Sequence, residues 1–254
     1  MVKTAEMIRK PLAIMQMGRP PEDLRLAQGE QSDWMRAALG DPDLPVRVFK
    51  PHEDDPLPNP ADLSGAVLTG SWSMVTDREP WSERTAEWLR GAFQVKLPLL
   101  GICYGHQLMA HALGGVVDFH PEGREIGQHA IELSADVRGD ALLGELPPRF
   151  FANLTHEQSV LTPPQGADVL ARSRHDPHQI LRYGPNAWSV QFHPEFSPAL
   201  MSACLTRRAP VFEAEGYDVA AMVAVLAPAH DAAQLLATFV RLCAPQRVHA
   251  SLPS

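Results

Sequence analysis

The sequence predicts an α/β fold, a mainly parallel central sheet with helices on both faces and added antiparallel strands. Short apolar runs alternate with amphipathic stretches through the first half, strand signals crowd the region from 116 to about 192, and a helical period returns near the end. Leu12-Ala13-Ile14-Met15-Gln16-Met17-Gly18 reads as the first strand, followed by a helix beginning after Ser32 and closed by Gly40. Val46–Phe49 and 65–70 are the next strands. Pro80 then opens a helix whose apolar face is Trp81, Thr85, Trp88, Leu89 and Ala92. Residues 97–102 form a short buried run, and 105–113 a helix closed by Gly114-Gly115. Repeated β-α units imply parallel strands, because a crossover helix returns the chain to the same end of the sheet. Further strands are expected at 130–133, 149–152, 168–172, 179–183 and 187–192, some of them antiparallel. Asp231 is placed to cap a last helix whose stripe is Leu235, Leu236, Phe239, Val240 and Cys243.

No composition break or internal repeat divides the 254 residues, so one domain is expected over 1–254, with 206–244 as a C-terminal helical segment. A hydrophobic fraction of 45% with 20% charged residues excludes wholesale disorder and collagen-like repetition. The net charge of −8 argues against nucleic acid or an anionic membrane as partner and favours a small-molecule substrate. No run approaches the roughly 20 apolar residues of a membrane span, and the start has no signal-peptide core, so the expected compartment is the cytoplasm. Cys103, Cys204 and Cys243 are too far apart for a C-x-x-C pair or a disulfide framework. The 24 prolines fall in connections such as 51–60, read as ordered loops.

Gly101-Ile102-Cys103-Tyr104-Gly105-His106-Gln107 places small residues two before and two after a thiol at a strand-to-helix junction. It has the form of a nucleophile elbow, in which the turn exposes the side chain and a helix N-terminus favours thiolate. An isolated cysteine is more often a buried structural residue. The two glycines and the junction reverse that balance. His193-Pro194-Glu195 follows another strand, and parallel strands bring their C-terminal ends together. His193 can take the thiol proton and return it to a leaving amine, while Glu195 orients the imidazole. Thr69-Gly70-Ser71 follows a third strand and offers N–H donors near Gly70 or Ser71, with the Tyr104 N–H as the second donor of an oxyanion hole. A Gly-Ser turn alone is weak support.

These three motifs together resemble the class I, or triad, glutamine amidotransferases, and among them the stand-alone GMP synthase-like members, over about residues 12–205. The resemblance implies a flavodoxin-like sheet, release of ammonia from glutamine through a γ-glutamyl thioester, and the roles given to Cys103, His193 and Glu195. It implies further that Gln107 contacts the substrate's amino-acid end. Thr155-His156-Glu157-Gln158-Ser159-Val160 resembles the family's Ser-His-Gly-Asp-x-Val loop, making His156, Glu157 and Gln158 substrate-binding positions. Glu157 and Gln158 replace Gly and Asp, which changes the charge facing the substrate's ammonium group. Gly123-Arg124-Glu125-Ile126-Gly127 also resembles the stand-alone members, with Arg124 and Glu125 at the pocket rim or on a solvated hairpin tip.

The remaining histidines show no paired metal spacing, so no metal or other cofactor is expected. Cys204 and Cys243 are expected to be inert helix residues, and Trp72, Trp81 and Trp88 core or cover. Neither a Ser-Gly-Gly-x-Asp-Ser nor a G-x-x-x-x-G-K-[ST] phosphate loop occurs, so ATP-driven amination would need a separate synthetase subunit. The resemblance implies glutamine or another γ-glutamyl compound as the substrate. Hydrolysis of γ-glutamyl peptides or amines and a non-catalytic glutamine-binding module are the alternatives; a Cys-elbow protein of the DJ-1 type is disfavoured by the distant His-Pro-Glu.

Overall fold

A computed structural model describes residues 9–134 and 137–244. The first half runs β1 (Leu12–Met15), α1 (Glu22–Gln28), α2 (Gln31–Leu39), β2 (Val46–Phe49), β3 (Gly65–Leu68), α3 (Pro80–Gln94), β4 (Leu99–Ile102) and α4 (Tyr104–Ala112). Then follow β5 (Val116–Phe119), β6 (Glu125–Leu133), β7 (Arg149–His156), β8 (Gln158–Thr162), β9 (Asp168–Arg172), β10 (Ile180–Gly184) and β11 (Ala187–Val190). The chain closes with α5 (Pro198–Arg207), α6 (Ala209–Ala214), α7 (Val219–Ala224) and α8 (His230–Cys243).

The main sheet has the order β2-β1-β3-β4-β11-β10-β9-β6-β7, in which the first five strands are parallel and the last four add in antiparallel fashion. Strand pleating explains the two helical layers. Leu12 and Ile14 of β1 pack with Met35 of α2 and Leu235, Leu236 and Phe239 of α8, whereas Ala13 and Met15 pack with Trp81 and Leu89 of α3 and Leu108 of α4. A third apolar cluster joins Leu24, Trp34 and Phe196 to α5, α6 and α7, close to the C-terminal ends of the parallel strands.

Several boundaries differ from expectation. β6 and β7 are longer than the runs at 130–133 and 149–152, because polar positions continue the ladder as far as Glu125 opposite His156. Gln128 and Asn153 meet across it, Nε2 to Oδ1 at 3.2 Å, so a pattern based on apolar residues ends too early. The segment 155–160 is a corner rather than a loop: β7 ends at His156 and β8, paired with β5 in a separate ribbon, begins at Gln158. α2 starts at Gln31, where the Asp33 carboxylate accepts the Glu30 N–H at 2.9 Å. Asp231 does not cap α8. Ala229 holds that position, and the carboxylate lies in the first turn, where the helix dipole favours it.

Candidate active site

β3, β4 and β11 are adjacent and in register, with Leu68 opposite Gly101 and Ile102 opposite Val190. The segments leaving their C-terminal ends therefore emerge side by side, carrying Gly70, Cys103 and His193. Cys103 joins β4 to α4 with φ 51° and ψ −100°, a conformation that L-residues rarely adopt. The turn works only because its flanks are small. A Cβ on Gly101 would stand 2.5 Å from the Gly105 oxygen, and one on Gly105 2.6 Å from the Leu68 oxygen. Tyr104 anchors the far side, its ring stacked on Trp81 and its hydroxyl 2.6 Å from Ser82 Oγ.

The buried His193 ring directs Nδ1 to Glu195 Oε1 at 2.8 Å, while its backbone N–H donates to Asn153 O at 2.8 Å and its ring stacks on Phe196 at 4.0 Å. Burial lowers the imidazole's proton affinity, but the Glu195 carboxylate and the Cys103 sulfur outweigh it and raise the pKa to about 10. Gly70 packs against both side chains: a Cβ there would lie 2.8 Å from His193 Cε1 and 3.6 Å from Cys103 Cβ. Its loop is pinned by Thr69, whose carbonyl accepts the Gly105 N–H at 3.2 Å and whose Oγ1 accepts the Met17 N–H at 3.0 Å. Ser71 lines the pocket, and its Oγ accepts the Ser73 N–H at 3.0 Å. The Tyr104 N–H opens α4 and so has no acceptor within that helix.

The pocket over Cys103 extends to Gln107, whose Nε2 donates to Gln158 O at 2.6 Å and to Gln191 Oε1 at 3.1 Å. His156 is buried between Gln158 O (Nδ1, 3.0 Å) and Glu125 Oε2 (Nε2, 3.1 Å). Gln158 borders the pocket, but its amide turns to the 75–77 turn, accepting from Val75 N at 3.1 Å and donating to Thr76 Oγ1 at 2.5 Å. Glu157 points to arginines: Oε1 accepts from Arg124 Nη1 at 2.6 Å and Arg208 Nη1 at 3.0 Å. Arg124 does line the pocket. Glu125 does not; it is buried behind, where burial raises its carboxyl pKa but the hydrogen bond from His156 leads the effects that bring the net value below normal.

Phe196, Gln191, Arg207 and Arg208 went unnoticed in the sequence. Phe196 lies one residue beyond His-Pro-Glu and Gln191 two before it, so proximity to that motif was the available signal. The arginines end α5 with no distinguishing pattern. Cys204 also borders the pocket, and burial and the charge of Glu195 push its thiol up to about 12; burial does the same to Cys243. His106, despite its place in the motif, is buried beneath the elbow with Nδ1 2.7 Å from Ser189 Oγ, and burial lowers its pKa to about 3. Among the described residues no group of three His, Cys, Asp or Glu side chains could hold a metal ion, and no helix is long and apolar enough to cross a membrane.

A strained thiol at a helix start, an imidazole paired with a carboxylate and a pinned glycine loop, all on one edge of a parallel sheet, define a cysteine-nucleophile amidohydrolase. The family described as Glutamine amidotransferase class-I matches residues 33–209, and the chain belongs to it. Relatives include the GMP synthase [glutamine-hydrolyzing] of Aeropyrum pernix, 38% identical over 132 residues, which are 52% of this chain and 24% of that protein. That of Thermomicrobium roseum is 32% identical over 161 residues, 60% of this chain and 29% of that protein. The chain thus spans about a quarter of these relatives. The fold is shared with a glutamine amidotransferase of Thermotoga maritima, at a TM-score of 0.73 and 21% identity, covering 92% of this chain and 98% of that one. A glutamine amidotransferase of Methylobacillus flagellatus superimposes with a TM-score of 0.69 at 21% identity, covering 96% of this chain and 100% of that one. The central sheet is accordingly flavodoxin-like, as the motifs implied.

Proposed function

We propose that the chain hydrolyses the γ-carboxamide of glutamine through a thioester on Cys103 and supplies the ammonia to a separate synthetase. The observation that carries this reading is the packing of Gly70 against both Cys103 and a His193 ring whose Nδ1 is paired with Glu195. The Cys103 thiol gives its proton to His193 as the sulfur bonds to the γ-carbonyl carbon, and the oxygen takes negative charge facing the N–H groups of Tyr104 and the Gly70-Ser71 loop. His193 gives its proton to the amide nitrogen, the C–N bond breaks and ammonia leaves. Water then attacks the thioester, losing a proton to His193, and the C–S bond breaks as that proton returns to the sulfur, giving glutamate and the free thiol. Gln107 and the corner at 156–158 hold the amino-acid end. The synthetase is inferred from relatives named for GMP synthesis, of which this chain spans about a quarter.

The test is ammonia release from glutamine by the purified chain without ATP. Turnover is expected, and its loss in Cys103→Ala, with an unchanged circular dichroism spectrum. Equal release by Cys103→Ala would refute the assignment.

A further inference from the structure

The pocket over Cys103 has a further end that the release of ammonia does not use. In the sheet order β1-β3-β4-β11, Cys103 leaves β4, and the corner at 156–158 meets Gln107 beside Gln191, the residue after β11, so the end given to the amino-acid head lies on the β11 side. Leu24 and Gln31, from the two helices that follow β1, line the same pocket from the other side. There the wall is apolar. Leu24 and Phe196 are buried in one cluster, and Trp72, edge-on to Trp34 at 6.2 Å, stays 37% exposed. α5 carries Arg207 across to α1, where its Nε donates to both Asp23 oxygens at 2.9 Å. Among the described residues, Arg207 Nη1 and Nη2 make no hydrogen bond, nor does Gln31 Nε2, whose amide is oriented by Thr69 Oγ1 at 3.1 Å from Oε1. An apolar wall ending in an open guanidinium fork is complementary to a carboxylate on an apolar body.

We propose that this end binds the leaving group of a γ-glutamyl dipeptide, so that the chain cleaves γ-glutamyl amino acids as well as glutamine. This rests on the Cys103 thioester reading given above. The departing nitrogen must face His193, whose ring stacks on Phe196 at 4.0 Å, so a substituent on that nitrogen runs along Phe196 toward Trp72 and Leu24. An α-amino acid carries its carboxylate and its side chain on the carbon next to that nitrogen. Arg207 and Gln31 hold the carboxylate, and Trp72 and Leu24 cover the side chain. The chemistry is unchanged: the sulfur bonds to the γ-carbonyl carbon, the C–N bond breaks as the His193 proton passes to the amino-acid nitrogen, and water hydrolyses the thioester to give glutamate and a free amino acid. Ammonia has no use for such a wall, since it carries neither apolar surface nor negative charge.

Steady-state kinetics with glutamine, γ-glutamylphenylalanine and γ-glutamylphenethylamide, which keeps the ring but lacks the carboxylate, test the proposal. Wild type should cleave the dipeptide with a kcat/KM at least comparable to that for glutamine and about 10-fold above that for the phenethylamide. Arg207→Leu should bring dipeptide and phenethylamide within about 2-fold of each other, chiefly by raising KM for the dipeptide, and Arg207→Lys, which keeps the charge, should restore part of the gap. The wild-type comparison needs no variant, so poor folding of Arg207→Leu leaves the proposal exposed to refutation. Dipeptide cleavage more than about 10-fold poorer than that of glutamine, or equal use of dipeptide and phenethylamide, overturns it while the hydrolase reading stands. Cleavage of the dipeptide without turnover of glutamine sustains it and removes the supply of ammonia instead. If wild type acts on none of the three, the inference falls, and a Cys103 left unlabelled by a γ-electrophilic glutamine analogue takes the hydrolase reading with it.

Discussion

The two ends of the pocket are built by different means. At the reaction end, backbone sets the geometry: three parallel strands end in register, and Cys103, His193 and Gly70 follow from where those strands stop. At the opposite end, side chains do so, through ion pairs linking Glu157 to Arg124, 33 residues away, and to Arg208, 51 residues away. The first arrangement holds Cys103 in a strained turn because a sheet core over-determines it. The second joins partly exposed groups whose individual pairings are weak.

Breaking the reaction end should have the largest effects. His193→Ala is expected to cost about 10³-fold or more in kcat, since no other group returns the proton, whereas Glu195→Gln should cost less, because the carboxylate orients the ring without itself transferring the proton. Matched kinetics on folded variants check the order. A Glu195→Gln enzyme as inactive as His193→Ala would contradict these roles. Gly70→Ala is expected next, at about 10²-fold in kcat, because its Cβ would intrude to 2.8 Å from His193 Cε1 and displace the N–H donors beside it. Thermal melts should show little change, which separates a displaced loop from a lost fold.

A smaller effect should appear in stability against pH. With its pKa raised from 6.5 to about 10, His193 contributes stability that is complete below about 6.5 and lost as pH rises through about 10. Glu195→Gln removes the main group raising that pKa. The gap in Tm between wild type and Glu195→Gln should therefore be widest near pH 6 and narrow steadily toward pH 10. A gap that widened with pH would mean that the ring is neutral in the fold.

The same contrast explains what could be read in the sequence. Gly-x-Cys-x-Gly and His-Pro-Glu are short motifs directly after apolar strand runs, so local spacing carried most of the reaction end. Gln107 and His156 were legible only through family resemblance, since a buried polar residue looks like any other until its partners are known. Glu125 was expected at the rim or on a solvated hairpin tip and is buried because the polar ladder of β6 and β7 extends to it. Arg208 left no trace in the pattern: it reaches the pocket and Glu157 only through the helices that return it there, a tertiary fact that no spacing encodes.

The most direct test of the strand-end account is brief alkylation with iodoacetamide near neutral pH followed by peptide mapping. Cys103, in a strained turn at the start of α4 and beside the His193–Glu195 pair, should be modified first and nearly alone, while Cys204 and Cys243, with thiols pushed up to about 12, should remain intact. Labelling of Cys243 at the rate of Cys103, or a Cys103 left unmodified in the folded protein, would contradict the account.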